Sequence, residues 1–214
     1  MPYRYEATSD FESSISEADT LLVLANSDDN NRVLFLKLAI ISAVTKFQVF
    51  VEKILDYNND SVVIIDEAYV DFGGTSSVSL IEKYENLLVT GTFSKSRSLA
   101  GLRIGFAIGS KTLIDVMEAV KNSYNSYTVD SLSIEMGTAS IEDKEYFEET
   151  CKKVIKTKTR VTDELRLLGF DVLDSQTNFV FATHNEHNMK SLFEYLKTQK
   201  VFIRYFSLPR IENY

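Results

Sequence analysis

Short apolar runs separated by helical or irregular segments limit how this chain can fold more than any other feature. "SVVIID" (61–66), "NLLVTGT" (86–92) and "RIGFAIG" (103–109) are such runs, and "TLLVLA" (20–25) precedes them, closed by the loop "NSDDNN". Runs this short and this apolar predict strands covered on both faces. Strands of that kind alternating with helices build an α/β sheet with parallel pairs. The stretch "VLFLKLAIISAVTKFQVFV" (33–51), continuing to about Tyr57, predicts a buried helix. Lys37 and Lys46 interrupt it, and a charge at bilayer depth costs about 2.5–3.5 kcal/mol, so no membrane span is predicted.

Beyond Gly109 the pattern turns helical. "KTLIDVMEAVKNS" is amphipathic, and a long helix is predicted from Asp143 to Leu168. Its apolar stripe holds Phe147, Cys151, Val154, Val161, Leu165 and Leu168, and Gly169 is its natural stop. The charged residues Lys152, Lys153, Lys156, Lys158, Arg160, Asp163 and Glu164 predict a solvated face. The tail "DVLDSQTNFVFAT", "MKSLFEYLKTQ" and "VFIRYF" predicts strand, strand, helix, strand. A boundary near 120–130 is expected, giving a larger domain over 1–125 and a smaller α/β domain over 126–214.

The net charge of −8 over 214 residues argues against a nucleic-acid partner, whose phosphates require a basic face. A small anion needs only a local positive pocket. Cys151 is the sole cysteine, so no internal disulfide forms, as suits a reducing cytosol. Its place on the apolar stripe predicts a buried thiol. The start "MPYRYEATSDF" has no signal-peptide pattern, so a cytoplasmic location is expected.

Ligands of parallel α/β sheets bind beyond the carboxyl ends of the strands. Asp66 and Tyr69 follow the second run, and Ser94 and Lys95 follow the third, so all four are candidates for one crevice. A P-loop reading of the acidic strand end fails. The nearest glycine-lysine string, "GFAIGSKT" (105–112), has a serine before its lysine and follows the acidic strand instead of preceding it. His184 and His187 lie in the polar stretch "HNEH" with no third ligand evident, so a surface loop is predicted there and no metal site. Arg97 is expected to be structural or a subunit contact.

Two longer strings sharpen this picture. "DEAYVDF" (66–72) followed by "TFSKSRSLAGLRIG" (92–105) resembles the fold-type I pyridoxal-phosphate (PLP) aminotransferases of the class I/II superfamily, and within them the histidinol-phosphate aminotransferase family. The resemblance implies part of a large PLP-binding domain, a mostly parallel sheet with flanking helices, followed by a small C-terminal α/β domain incomplete at its end. It implies that Lys95 bonds the cofactor aldehyde and later carries the proton of the substrate carbon. Asp66 would pair with the pyridine nitrogen, and Tyr69 would donate to the ring O3′. Arg103, with the hydroxyls of Thr92 and Ser94, would hold the phosphate. Asn125 and Asn178 would help shape the site, and Arg204 would face the substrate.

The implied reaction passes an amino group from L-histidinol phosphate to 2-oxoglutarate in histidine biosynthesis, on a homodimer. An aromatic or other amino donor is the alternative. Departures from the family pattern are also visible. "ANSDDNNRV" stands where relatives carry a proline- and glycine-containing asparagine string, leaving Asn26, Asn30 and Asn31 as candidates for the cofactor asparagine. Relatives also extend further at both ends. The expectation is therefore of a chain truncated at both ends, with a catalytically inactive remnant or an association module as the competing reading.

Overall fold

A computed structural model describes residues 47–209 and 211–214. The expected strand at 20–25, the three asparagines near it and the first part of the 33–57 helix lie outside the described residues. The chain divides into two compact units. Of the described residues, the first holds those up to Ala68, Thr75–Ser94 and Leu99–Ile134; the second holds Tyr69–Gly74, Lys95–Ser98 and those from Glu135 to Tyr214.

In the first unit, residues 47–56 are helical (α1), and a three-stranded sheet follows from Val63–Asp66 (β1), Leu87–Thr92 (β2) and Gly105–Gly109 (β3). Its order is β1-β2-β3. β1 runs parallel to β2, and β3 runs antiparallel to it, so the pairing among the described residues is mixed. The physical reason lies in the connections. A parallel return needs a crossover element, whereas residues 93–104 supply only one 3-10 turn, Ala100–Leu102. Backbone bonds from Phe93 N to Ile104 O (3.1 Å) and from Leu99 N to Phe93 O (3.0 Å) fold that connection back on itself.

The core lies on one face of this sheet. Val51 and Leu55, one turn apart on α1, pack with Leu80, Tyr84, Leu87 and Val89, flanked by Val63 and Ile65. Leu55 and Leu87 are fully buried, and each such side chain contributes about 1.5–3 kcal/mol by leaving water. Burial on both faces holds for β2 but not for β1. Val62 and Ile64 are 51% and 60% exposed, because no described residue covers that face of β1. The amphipathic stretch after β3 is the helix Lys111–Tyr124 (α2), capped by Ser110, whose side chain accepts from Leu113 N.

A helix absent from the sequence reading spans Ser131–Glu142 (α3). Asp130 caps it: Oδ1 accepts from Ser133 N (2.9 Å) and Oδ2 from Ser133 Oγ (2.7 Å). These bonds hold the Asp130 carboxyl below its usual range, the Ser133 backbone bond contributing most.

In the second unit the expected long helix runs over Lys144–Leu167 (α4). The Asp143 side chain accepts from Tyr146 N at its start. At its end Gly169 takes φ +87°, and Gly169 N and Phe170 N donate to Arg166 O and Leu165 O. That is a Schellman ending, which needs a residue tolerant of the left-handed region. Cys151 is buried on the helix stripe as expected, whereas Leu168 is exposed. Antiparallel strands Asp171–Leu173 (β4) and Phe181–Thr183 (β5) follow, then the helix Met189–Thr198 (α5), capped by Asn188.

Two expectations fail here. "VFIRYF" forms no strand, because its backbone finds no ladder partner among the described residues; Val201, Phe202 and Ile203 stay exposed. Lys158 is not part of the solvated face. It is half-buried, and its Nζ donates to Phe72 O (3.3 Å) and Ser175 O (2.6 Å). Lys152, Lys153 and Arg160 do lie in solvent, paired one turn away with Glu148, Glu149 and Glu164.

Candidate functional site

The sheet of the first unit has a chemically distinctive end. Asp66 closes β1 and stands opposite Thr90 of β2, and Thr92 closes β2 opposite Gly105, the first residue of β3. Because β3 runs antiparallel, its beginning lies at the carboxyl end of β1 and β2. Arg103, just before β3, therefore shares that end with Asp66 and Thr92. A parallel third strand would have carried Arg103 to the opposite end.

Local bonding decides which groups at this end stay available. Asp66 is exposed, and one carboxylate oxygen accepts from Ala68 N at 3.0 Å. The neighbouring acid is spent on structure: Glu67 accepts from Ser76 Oγ (2.7 Å) and Ser77 N (2.5 Å), closing the loop after β1. Thr92 Oγ1 donates to Ile104 O (3.3 Å) and accepts from Ser94 N (3.1 Å), which turns the chain at Ser94. Arg103 has φ +56°, and its guanidinium, exposed, donates to Ala100 O at 3.0 Å. A side chain held in the left-handed region costs about 1–2 kcal/mol. The fold carries that cost at an arginine where glycine would avoid it.

The second unit has an amine and a phenol of its own side by side. The Lys95 ammonium lies 5.1 Å from the Tyr69 ring centroid, and the same ring meets Phe179 edge-on at 5.4 Å. Tyr69 opens the 3-10 turn Val70–Phe72. Ser96 Oγ, buried, donates to Asp71 Oδ2 at 2.5 Å, tying the loop that bears Lys95 to the turn that bears Tyr69. Arg97 is structural within this unit: it donates to Ser140 O and stacks over the Phe147 ring at 4.2 Å. The Asp71–Ser96 bond and the Glu67 clamp escaped the sequence reading. Their only sequence signal is that three acids crowd one string.

Other candidates lie elsewhere. Asn178 is exposed and lines a cleft of about 360 Å³ with Val154, Lys158, Val161 and Phe179. Arg204 is exposed, its guanidinium 5.3 Å from the Phe206 ring, on the segment that forms no strand. Asn125 is exposed at the end of α2, its side chain accepting from Tyr127 N. His184 meets Phe170 edge-on at 5.0 Å, and its Nδ1 accepts from Glu186 N.

The family model for aminotransferase class I and II matches residues 49–214, which include both strings. The chain belongs to this family. Among aminotransferase relatives, it is 53% identical over 164 residues to the histidinol-phosphate aminotransferase of Clostridium acetobutylicum, covering 77% of this chain and 47% of the relative. It is 54% identical over 164 residues to the enzyme of the same name from Acinetobacter baumannii strain AYE, covering 77% and 45%. The fold matches the crystal structure of histidinol-phosphate aminotransferase from Sinorhizobium meliloti in complex with pyridoxal-5′-phosphate, with a TM-score of 0.67, 20% identity, and coverage of 79% and 46%. The chain spans less than half the length of these aminotransferases.

Proposed function

We propose that this aminotransferase chain binds PLP and serves amino-group transfer from L-histidinol phosphate to 2-oxoglutarate. The observation that supports this most is the sharing of one sheet end by Asp66, Thr92 and Arg103. The donor set fits the cofactor by its chemistry: a carboxylate, a phenol, an amine, hydroxyls and a guanidinium. Asp66, with one oxygen free of the Ala68 bond, would hold the pyridine nitrogen protonated. Arg103 would hold the phosphate as a planar fork, with Thr92 and Ser94 beside it. Lys95 would hold the aldehyde carbon and move a proton at the substrate carbon through Nζ. Tyr69 would orient the ring through its hydroxyl. Bound PLP supplies an electron-withdrawing ring that stabilises negative charge on that carbon. Asn178 and Arg204 are assigned to the substrate side.

The proposal extends to organisation. Residues 1–125 belong to the cofactor-binding domain and 126–214 to the small domain. The protein is cytoplasmic, and no helix among the described residues is long and apolar enough to cross a membrane. It self-associates as a homodimer, a reading supported by the exposed Val116, Val120, Tyr124 and Tyr127 on α2 and just after it. Glutamate formation from 2-oxoglutarate, assayed with L-histidinol phosphate and separately with an aromatic amino acid, tests the donor. Turnover with the phosphate ester is expected to dominate. Turnover with the aromatic donor alone would transfer the assignment to that class.

A further inference from the structure

Lys158 differs from three neighbouring cations of α4. Lys152, Lys153 and Arg160 pair with glutamates one turn away, whereas Lys158 turns inward to two backbone carbonyls, Phe72 O and Ser175 O. Burial pushes its ammonium below the usual lysine range. The tether does not need the charge, because a neutral amine still has two N–H donors for two carbonyls.

Each carbonyl belongs to a segment that ends on the Tyr69 ring. Phe72 closes the turn that Tyr69 opens, with Phe72 N donating to Tyr69 O at 3.1 Å and Gly74 N to Val70 O at 2.8 Å. Ser175 opens a second turn, in which Thr177 N donates to Ser175 Oγ (3.2 Å) and Phe179 N to Thr177 Oγ1 (3.3 Å). That turn delivers Phe179, whose ring meets Tyr69, and Tyr69 in turn faces the Lys95 ammonium. One amine therefore fixes the relative position of the two segments that hold the phenol. The Lys158 stem also lines the cleft beside Asn178 and Phe179.

We propose that Lys158 is a positioning residue: it sets the Tyr69 ring against Lys95 by clamping the Phe72 and Ser175 carbonyls together. In its consequence for cofactor binding this rests on the PLP reading above; the geometric part does not. Lys158→Met keeps the apolar stem and removes the donors, and Lys158→Arg keeps donors.

In the purified chain labelled with ¹³C at lysine Cε, the Lys95 signal, assigned through Lys95→Arg, is expected upfield of solvent-exposed lysines such as Lys152 and Lys153 because it lies over an aromatic ring, as Lys83 also does over Tyr84. Lys158→Met should abolish that displacement, Lys158→Arg should retain it, and Lys152→Met should leave it alone. Phe179→Leu, at a half-exposed position where folding is not at stake, should shift the same signal. With PLP added, Lys158→Met should move the pH midpoint of the visible band and weaken PLP binding about two- to tenfold. An unchanged Lys95 signal in Lys158→Met and Phe179→Leu would overturn the proposal. The expected lysine signals with no PLP band in the parent chain would leave the clamp standing and overturn the cofactor reading instead.

Discussion

The Lys95 ammonium faces the Tyr69 ring at 5.1 Å from its centroid, although the two residues stand at the ends of different strands in the sequence. The bond from Ser96 Oγ to Asp71 Oδ2 makes this pairing reproducible, since each partner of that bond lies within two residues of one member of the pair.

Ser96→Ala should accordingly destabilise the second unit. Ser96 is buried, and its loss leaves the Asp71 carboxylate without that donor. A cost of about 1–3 kcal/mol is expected, read as a lower urea midpoint with an unchanged slope. Asp71→Asn should be milder, because the amide oxygen still accepts from the hydroxyl.

Arg103→Gly should separate stability from binding. Glycine adopts the φ +56° of this position without steric cost, so the melting temperature should rise or hold. PLP affinity should fall by about tenfold or more, as expected for a lost charge-assisted phosphate contact. A parallel loss of stability and affinity would mean that the bond from Arg103 to Ala100 O matters more than the guanidinium's reach for a ligand.

Cys151 should resist thiol reagents until the chain unfolds. Burial raises its pKa, the Asp71 charge adds to the rise, and Arg97 opposes it. A thiol whose folded pKa lies above its unfolded value gives stability that is complete below the unfolded pKa, near 9.0, and is lost as pH rises through the folded value. Labelling rates at pH 8 should therefore follow global unfolding in urea, and Cys151→Ser should flatten the decline in stability on the alkaline side.

Much of this fold was legible because periodicity and punctuation agree. Val51 and Leu55 repeat one turn apart on α1, the apolar runs of β1 and β2 are short and bounded, and Asp143 and Gly169 mark both ends of α4. α3 was not legible by periodicity, because "SLSIEMGTASIE" spreads its apolar residues around the helix; the pattern of Asp130 with Ser133 was the signal on offer. "VFIRYF" reads as a strand by composition, but a strand exists only where a partner ladder is present. For the candidate site, strand-end positions were readable from the sequence. The antiparallel return that carries Arg103 to the end shared by Asp66 and Thr92 was not, since it depends on how residues 93–104 fold back. Lys158 looked like one more surface cation because its acceptors, Phe72 O and Ser175 O, are backbone atoms that no sequence pattern marks.

The central claim is that Lys95 is the residue that holds the cofactor. Incubating the purified chain with PLP, reducing with borohydride and mapping the peptides by mass spectrometry tests it most directly. The account predicts a phosphopyridoxyl mass on the peptide containing Lys95, with none on Lys83 or Lys158 and none at all in Lys95→Ala. Label spread over surface lysines, or persisting in Lys95→Ala, would contradict it.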